Sequence, residues 1–71
     1  MGKQAATILD VQLVDIHGSI FYDLTFTLDS KPETQKTSRI GVESVYAGPQ
    51  LGDKVKVSLL LGQLVRVEKG D

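Results

Sequence analysis

The chain has one histidine, His17, and it follows Asp15 by two residues and precedes Gly18. A carboxylate and an imidazole so close in sequence suggest a metal site or an acid–base pair. A zinc site needs more protein ligands than these, and nothing else near His17 supplies them. A turn residue ahead of a glycine is the better reading. Asp10 and Asp23 are outward-facing carboxylates on strands expected to be adjacent, an arrangement a general acid and base would use, yet solvated strand positions account for both. The chain has no Gly-x-Ser-x-Gly sequence, no phosphate loop and no dinucleotide fingerprint. With no cysteine and one histidine, nucleophile and base pairs are hard to assemble. No enzyme is expected, and no metal or cofactor is called for.

The remaining chemistry is that of binding. Lys and Arg number 8 against 9 Asp and Glu, giving a net charge of -1, which argues against tight non-specific association with nucleic acid or anionic membrane. The charge is uneven along the chain. Lys3 and Lys31 face five carboxylates up to Thr34, whereas Lys36, Arg39, Lys54, Lys56, Arg66 and Lys69 dominate the remainder. Single-stranded nucleic acid requires aromatics for stacking and a cationic groove along the phosphates. The candidate ligand face for such a role is Phe21, Thr25 and Arg39 together with Lys54, Lys56 and Arg66 of the last hairpin. Asp23 opposes Arg39 and Glu68 offsets the hairpin cations, so a protein partner is expected ahead of nucleic acid. Binding along a strand edge needs no special residue and leaves no sequence signature.

Five extended runs must position these side chains. In Thr7 to Val14, Thr7, Leu9, Val11 and Leu13 share one face by the period of two that marks a half-buried strand. In Ile20 to Leu28 the alternation is clearest: Ile20, Tyr22, Leu24, Phe26 and Leu28 point inward, Phe21, Asp23, Thr25 and Thr27 outward. Matching odd with even positions across this pair requires an even loop, either His17-Gly18 or Asp15 to Gly18. The polar stretch Asp29 to Thr34, with Pro32, is a loop. The third run, Gln35 to Val42, places Ile40 and Val42 inward. Glu43 to Asp53 breaks the alternation, with a helical turn expected over Ser44 to Ala47 and Tyr46 expected to plug one end of the core near Pro49. The fourth run, Lys54 to Leu61, sets Val55, Val57, Leu59 and Leu61 inward, and the fifth, Gln63 to Lys69, sets Val65 and Val67 inward. Both inward sets are odd, which predicts an odd loop built on Gly62. Val57 then faces Val67, and Lys56 faces Glu68 as an exposed ion pair of little energetic weight.

This order, three strands, a short helical or irregular insert, then two strands, predicts an all-β, five-stranded small barrel. It resembles an OB-fold, with an SH3-like barrel as the runner-up. A chain of 71 residues forms a single domain, here residues 1–71, because it buries only roughly 60% of its unfolded surface and cannot supply a second core. Residues 1–6 are expected to be a flexible lead-in, and Met1-Gly2 also fits a cloning junction. With 41% hydrophobic and 24% charged residues the chain is an ordinary globular one, and no disulfide stabilises it. No apolar run approaches the roughly 20 residues of a membrane span, and Met1 to Ala6 is not a signal peptide, so direct membrane insertion by this segment is not expected. Ala6-Thr7-Ile8-Leu9, the strand Phe21 to Phe26, Tyr46 ahead of Gly52-Asp53, and the closing hairpin resemble short bacterial OB-like domains of uncharacterised families that sit behind an N-terminal membrane anchor. The resemblance offers no activity to carry over residue by residue; the chain is expected to be an interaction module, either cytoplasmic or the extracytoplasmic part of an anchored protein.

Overall fold

The computed structural model describes residues 2–70. Five strands, β1 (Lys3–Ile16), β2 (Ser19–Leu28), β3 (Gln35–Gly41), β4 (Lys54–Leu60) and β5 (Gln63–Lys69), form one antiparallel sheet in the order β3-β2-β1-β4-β5. A single 3-10 turn, Val42–Ser44, follows β3, slightly earlier than the expected turn over Ser44 to Ala47. Four of the five runs thus lie where alternation placed them, within a residue or two.

The first strand is the exception. Lys3 to Ala6 is not a loose lead-in: it pairs with Ser58, Val57, Lys56 and Val55 of β4, and Ala6 is fully buried. Met1 lies outside the described residues. Burial of Ala6 also explains why the inward set of β1 is not the expected one. Ala6 and Ile8 face the core, whereas Leu9 is 39% exposed. The register between β1 and β2 slips at this point, with Ile8 opposite Phe26 but Asp10 opposite Thr25. Leu9 is therefore the extra residue of a β-bulge, and one extra residue exchanges the faces of everything after it. Beyond the bulge Val11 packs against the core as expected, but Leu13, also expected inward, is 67% exposed near the far end of the hairpin. Asp10 supports the irregularity, its carboxylate accepting the Val11 N–H at 3.0 Å.

The two tight hairpins solve the parity problem differently. His17-Gly18 is the expected even loop, a two-residue turn in which Ile16 pairs with Ser19 and both turn residues have positive φ, +53° and +86°. This is the primed geometry whose twist matches the strands it joins. The Asp15 carboxylate accepts the Gly18 N–H at 3.0 Å. Between β4 and β5 the expected odd loop is absent: Leu60 pairs with Gln63 across the two-residue turn Leu61-Gly62, at φ +52° and +80°. The odd residue sits instead in the strand, because Leu59 opposes Leu64 while Ser58 opposes Arg66, leaving Val65 unpaired. Leu64 is consequently buried and Val65 is 45% exposed, the reverse of the expected facing, and Leu61 projects from the turn at 95% exposure. Upstream of this bulge Val57 faces Val67 and Lys56 faces Glu68, as the parity argument requires.

The core consists of Ala6, Ile8, Leu24, Phe26, Leu28, Ile40, Val55, Val57, Leu64 and Val67, with Tyr22, Tyr46, Val45, Leu59 and Val11 packed around it. Full burial of Phe26, Ile8, Leu24, Val55 and Val57 contributes about 1.5–3 kcal/mol per side chain. No buried side-chain polar atom among the described residues lacks a partner. The long connection between β3 and β4 is sealed by Tyr46, which packs on the core as expected, and by buried Pro49. It is tied to β1 by Gly52 N–H to Ile8 O at 2.8 Å and Ile8 N–H to Asp53 O at 3.0 Å. Among the described residues no ladder joins β3 to β5; the segment after the 3-10 turn meets β5 at one parallel bridge, Val45 with Val67. No helix of the described residues is long and apolar enough to cross a membrane.

Candidate functional site

The six side chains singled out from the sequence occupy two separate surfaces. Phe21, Thr25 and Arg39 lie on the outer side of the β2–β3 ladder, where Phe21 opposes Gly41, Thr25 opposes Thr37 and Asp23 opposes Arg39. Each is engaged locally. The hydroxyls of Thr25 and Thr37 share a hydrogen bond of 3.0 Å. Arg39 donates from Nε to Asp23 Oδ1 at 2.7 Å and from Nη2 to Asp23 Oδ2 at 3.0 Å. This two-pronged bond holds the Asp23 carboxyl below the usual carboxylate range and raises the Arg39 guanidinium.

Lys54, Lys56 and Arg66 lie on the β4–β5 hairpin. Lys54 donates from Nζ to Thr7 Oγ1 at 3.0 Å. The expected pair of Lys56 with Glu68 does not form. Glu68 instead accepts Lys3 at 2.6 Å and Arg66 at 2.9 Å, because the first residues of β1, expected to be loose, bring Lys3 alongside. Those two donors, Lys3 foremost, lower the Glu68 carboxyl. Arg39 and Arg66 therefore each face a carboxylate already, and the six residues make no single cationic groove.

The candidate acid–base residues are likewise accounted for. Asp10 is bound to its neighbouring N–H, Asp23 to Arg39, and the two are not cross-strand partners. His17 occupies the hairpin turn, and among the described residues no group of three or more His, Asp or Glu is placed to hold a metal ion. The most tightly organised polar contact is Tyr46 Oη donating to Asp53 Oδ2 at 2.5 Å, with the Gln50 N–H donating to the same oxygen at 3.1 Å. Burial and the carboxylate it faces push the Tyr46 phenol well above its usual range, and its hydroxyl in turn lowers Asp53. These contacts lock the β3–β4 connection.

Two surfaces escaped the alternation argument. The first is the free edge of β1. On the side away from β2, β1 pairs with β4 only from Lys3 to Thr7 and with the Gly52-Asp53 backbone at Ile8, so residues 9–16 have no strand beside them. Leu9, Leu13 and Ile16 are exposed on this segment, and Leu51 is exposed on the loop that meets it at Ile8. The expected runs, Thr7 to Val14 and Lys54 to Leu61, are equal in length and gave no sign of this edge; it exists because β1 extends from Lys3 to Ile16 and β4 only from Lys54 to Leu60. The second is a cleft of about 540 Å³ between β3 and the β4–β5 turn, bounded by Lys36 to Arg39 on one wall and Leu59 and Gly62 to Leu64 on the other, with Phe26 at its base. Nothing local in the sequence marks it, because it joins segments more than twenty residues apart. Comparison with known proteins finds no matching family, no matching curated protein and no matching solved structure.

Proposed function

We propose that this chain is a non-catalytic protein-interaction module on an OB-like barrel scaffold, and that it binds an extended segment of its partner along the free edge of β1. The observation that carries the reading is that edge: main-chain donors and acceptors of residues 9–16 without a strand beside them, flanked by exposed Leu9, Leu13 and Ile16. Strands exposed in this way are normally blocked by lysine, proline or a covering element. Here the segment contains neither lysine nor proline, and only the bulge and the carboxylates of Asp10 and Asp15 interrupt it. Such an edge accepts a further strand, with alternate side chains supplying specificity.

The strand order supports the OB-like scaffold over the SH3-like one. A three-stranded meander is followed by a hairpin whose first strand, β4, returns to β1, while the segment that follows β3 and the 3-10 turn meets β5 in parallel at Val45 and Val67. In an SH3-like barrel the last strand would pair with the first. The resemblance to anchored bacterial domains is consistent with a module held near a membrane by a preceding segment. Nucleic acid is less well supported, since the six candidate residues lie on two separate surfaces, the β2–β3 ladder and the β4–β5 hairpin, and make no continuous cationic groove.

Selection of displayed random peptides on the immobilised domain tests the proposal. Enriched sequences should alternate apolar residues and carry Lys or Arg opposite Asp10 and Asp15, and should lose binding to Leu13→Lys. Peptides that bind the wild type and Leu13→Lys equally would refute the β1 edge as the site.

A further inference from the structure

We infer that the cleft between β3 and the β4–β5 turn is a second binding site, for an acidic peptide segment in extended conformation. The inference does not rest on the β1 edge, which lies on a different strand. The cleft opens between the first half of β3 and the start of β5, away from the bridge that joins Val45, beyond the 3-10 turn, to Val67 of β5. Its volume of about 540 Å³ is that of an ordinary ligand cleft.

Charge sets the class of ligand. Lys36 and Arg39 line the cleft and no Asp or Glu does. The ammonium of Lys36 has no hydrogen-bond partner or carboxylate partner among the described residues. Arg39 is held by Asp23 through Nε and one Nη2 hydrogen, and a guanidinium has five donors, so three remain for a ligand while Asp23 fixes the fork in place. Two cations on one wall of the cleft, one without a partner and one positioned by Asp23, suit carboxylates on a flexible chain.

The backbone sets the form of the ligand. β3 pairs with β2 alone, so every second N–H and C=O along its outer edge is directed toward the cleft. A peptide strand satisfies that ladder and a sugar–phosphate backbone does not. Bases also need aromatic faces, and the cleft's one aromatic, Phe26, is buried beneath it. Ser38 and the exposed Gln63 add uncharged polar groups on opposite walls, and Leu64 closes the floor.

The test is a fluorescence-anisotropy titration of the full chain, at low salt, with three labelled probes: a short peptide alternating Glu and Val, its Lys–Val counterpart, and oligo-dT. The Glu–Val peptide should bind, with backbone amide shifts confined to Lys36–Arg39 and Leu59–Leu64, and the other two should not. Lys36→Glu, an exposed position, should weaken it about tenfold or more. Gln63→Glu, which puts a carboxylate on the opposite wall, should weaken it in the same direction, so that misfolding of either variant leaves the other as a readout. No binding of the Glu–Val peptide, binding indifferent to both cleft variants, amide shifts elsewhere, or binding of oligo-dT alone would each overturn the inference.

Discussion

Replacing Leu61 with Asn should stabilise the domain by about 1 kcal/mol, although it removes a leucine. Leu61 holds φ at +52° as the first residue of the two-residue turn between β4 and β5. For a residue with a Cβ the left-handed region costs roughly 1–2 kcal/mol, and Asn, whose short side chain bonds locally, pays much less. Nothing is lost in exchange, because Leu61 is 95% exposed and makes no core contact. The substitution creates Asn-Gly, the sequence preferred for this turn type. A gain of that size raises the melting temperature by about 4–8 °C in a domain of this length. Urea denaturation followed by circular dichroism should show a higher midpoint at unchanged slope, since the surface exposed on unfolding stays the same. His17→Asn is the internal comparison. It occupies the equivalent turn position at φ +53°, but histidine tolerates positive φ better and Asp15 already caps that turn, so its gain should be smaller. A midpoint that falls with Leu61→Asn, or an equal gain at both turns, would show that backbone strain at Leu61 is not what limits this hairpin.

Leu64→Asp should unfold the domain by placing an unpaired charge in the core, whereas Val65→Asp should cost less than about 1 kcal/mol; thermal melts of the two variants test the bulge directly, since uniform alternation requires the opposite result. Acid should destabilise the fold. Asp23, held down by Arg39, Asp53, by Tyr46, and Glu68, by Lys3 and Arg66, all have lowered carboxyl pKa values. Stability from lowered carboxyls is present above the unfolded-state value and disappears as pH falls through the folded-state value. The urea midpoint should therefore drop as pH is taken below about 4, and Glu68→Gln should flatten that fall. A midpoint unchanged between neutral and strongly acidic pH would contradict these pairings.

How much of this was legible depends on where each strand is regular. β2 carries no bulge, and of its expected inward residues Tyr22, Leu24, Phe26 and Leu28 face the core, while Ile20, at the turn end, is not among the residues packed there. β1 and β5 each contain one extra residue, at Leu9 and Val65, and each exchange of faces defeated the same argument. The parity count was still informative at the Gly62 hairpin: an odd residue was required between the inward sets of β4 and β5, and the chain has one. Period two could not say whether it sat in the turn or in the strand. The turn itself had the stronger claim on two residues, because the primed geometry matches strand twist, and the surplus moved to where a bulge is tolerated.

The candidate binding surfaces were legible to a lesser degree, for a related reason. The opposition of Arg39 by Asp23 was legible from the strands, but the partners of Glu68 were not, since Lys3 reaches it, with Arg66 in place of Lys56, only when the first residues join the sheet. Lys36, counted among the cations of the second half, was left out of the candidate face because a lysine at a strand start is unremarkable until the opposite wall of the cleft is known. Both proposed surfaces arise from incomplete pairing: β1 is longer than its partner β4, and among the described residues no ladder joins β3 to β5. Unsatisfied main-chain edges are a general liability for aggregation. A small sheet that leaves two of them open, one bordered by leucines and the other by cations, has edges of different chemistry, and different partners should therefore fill them.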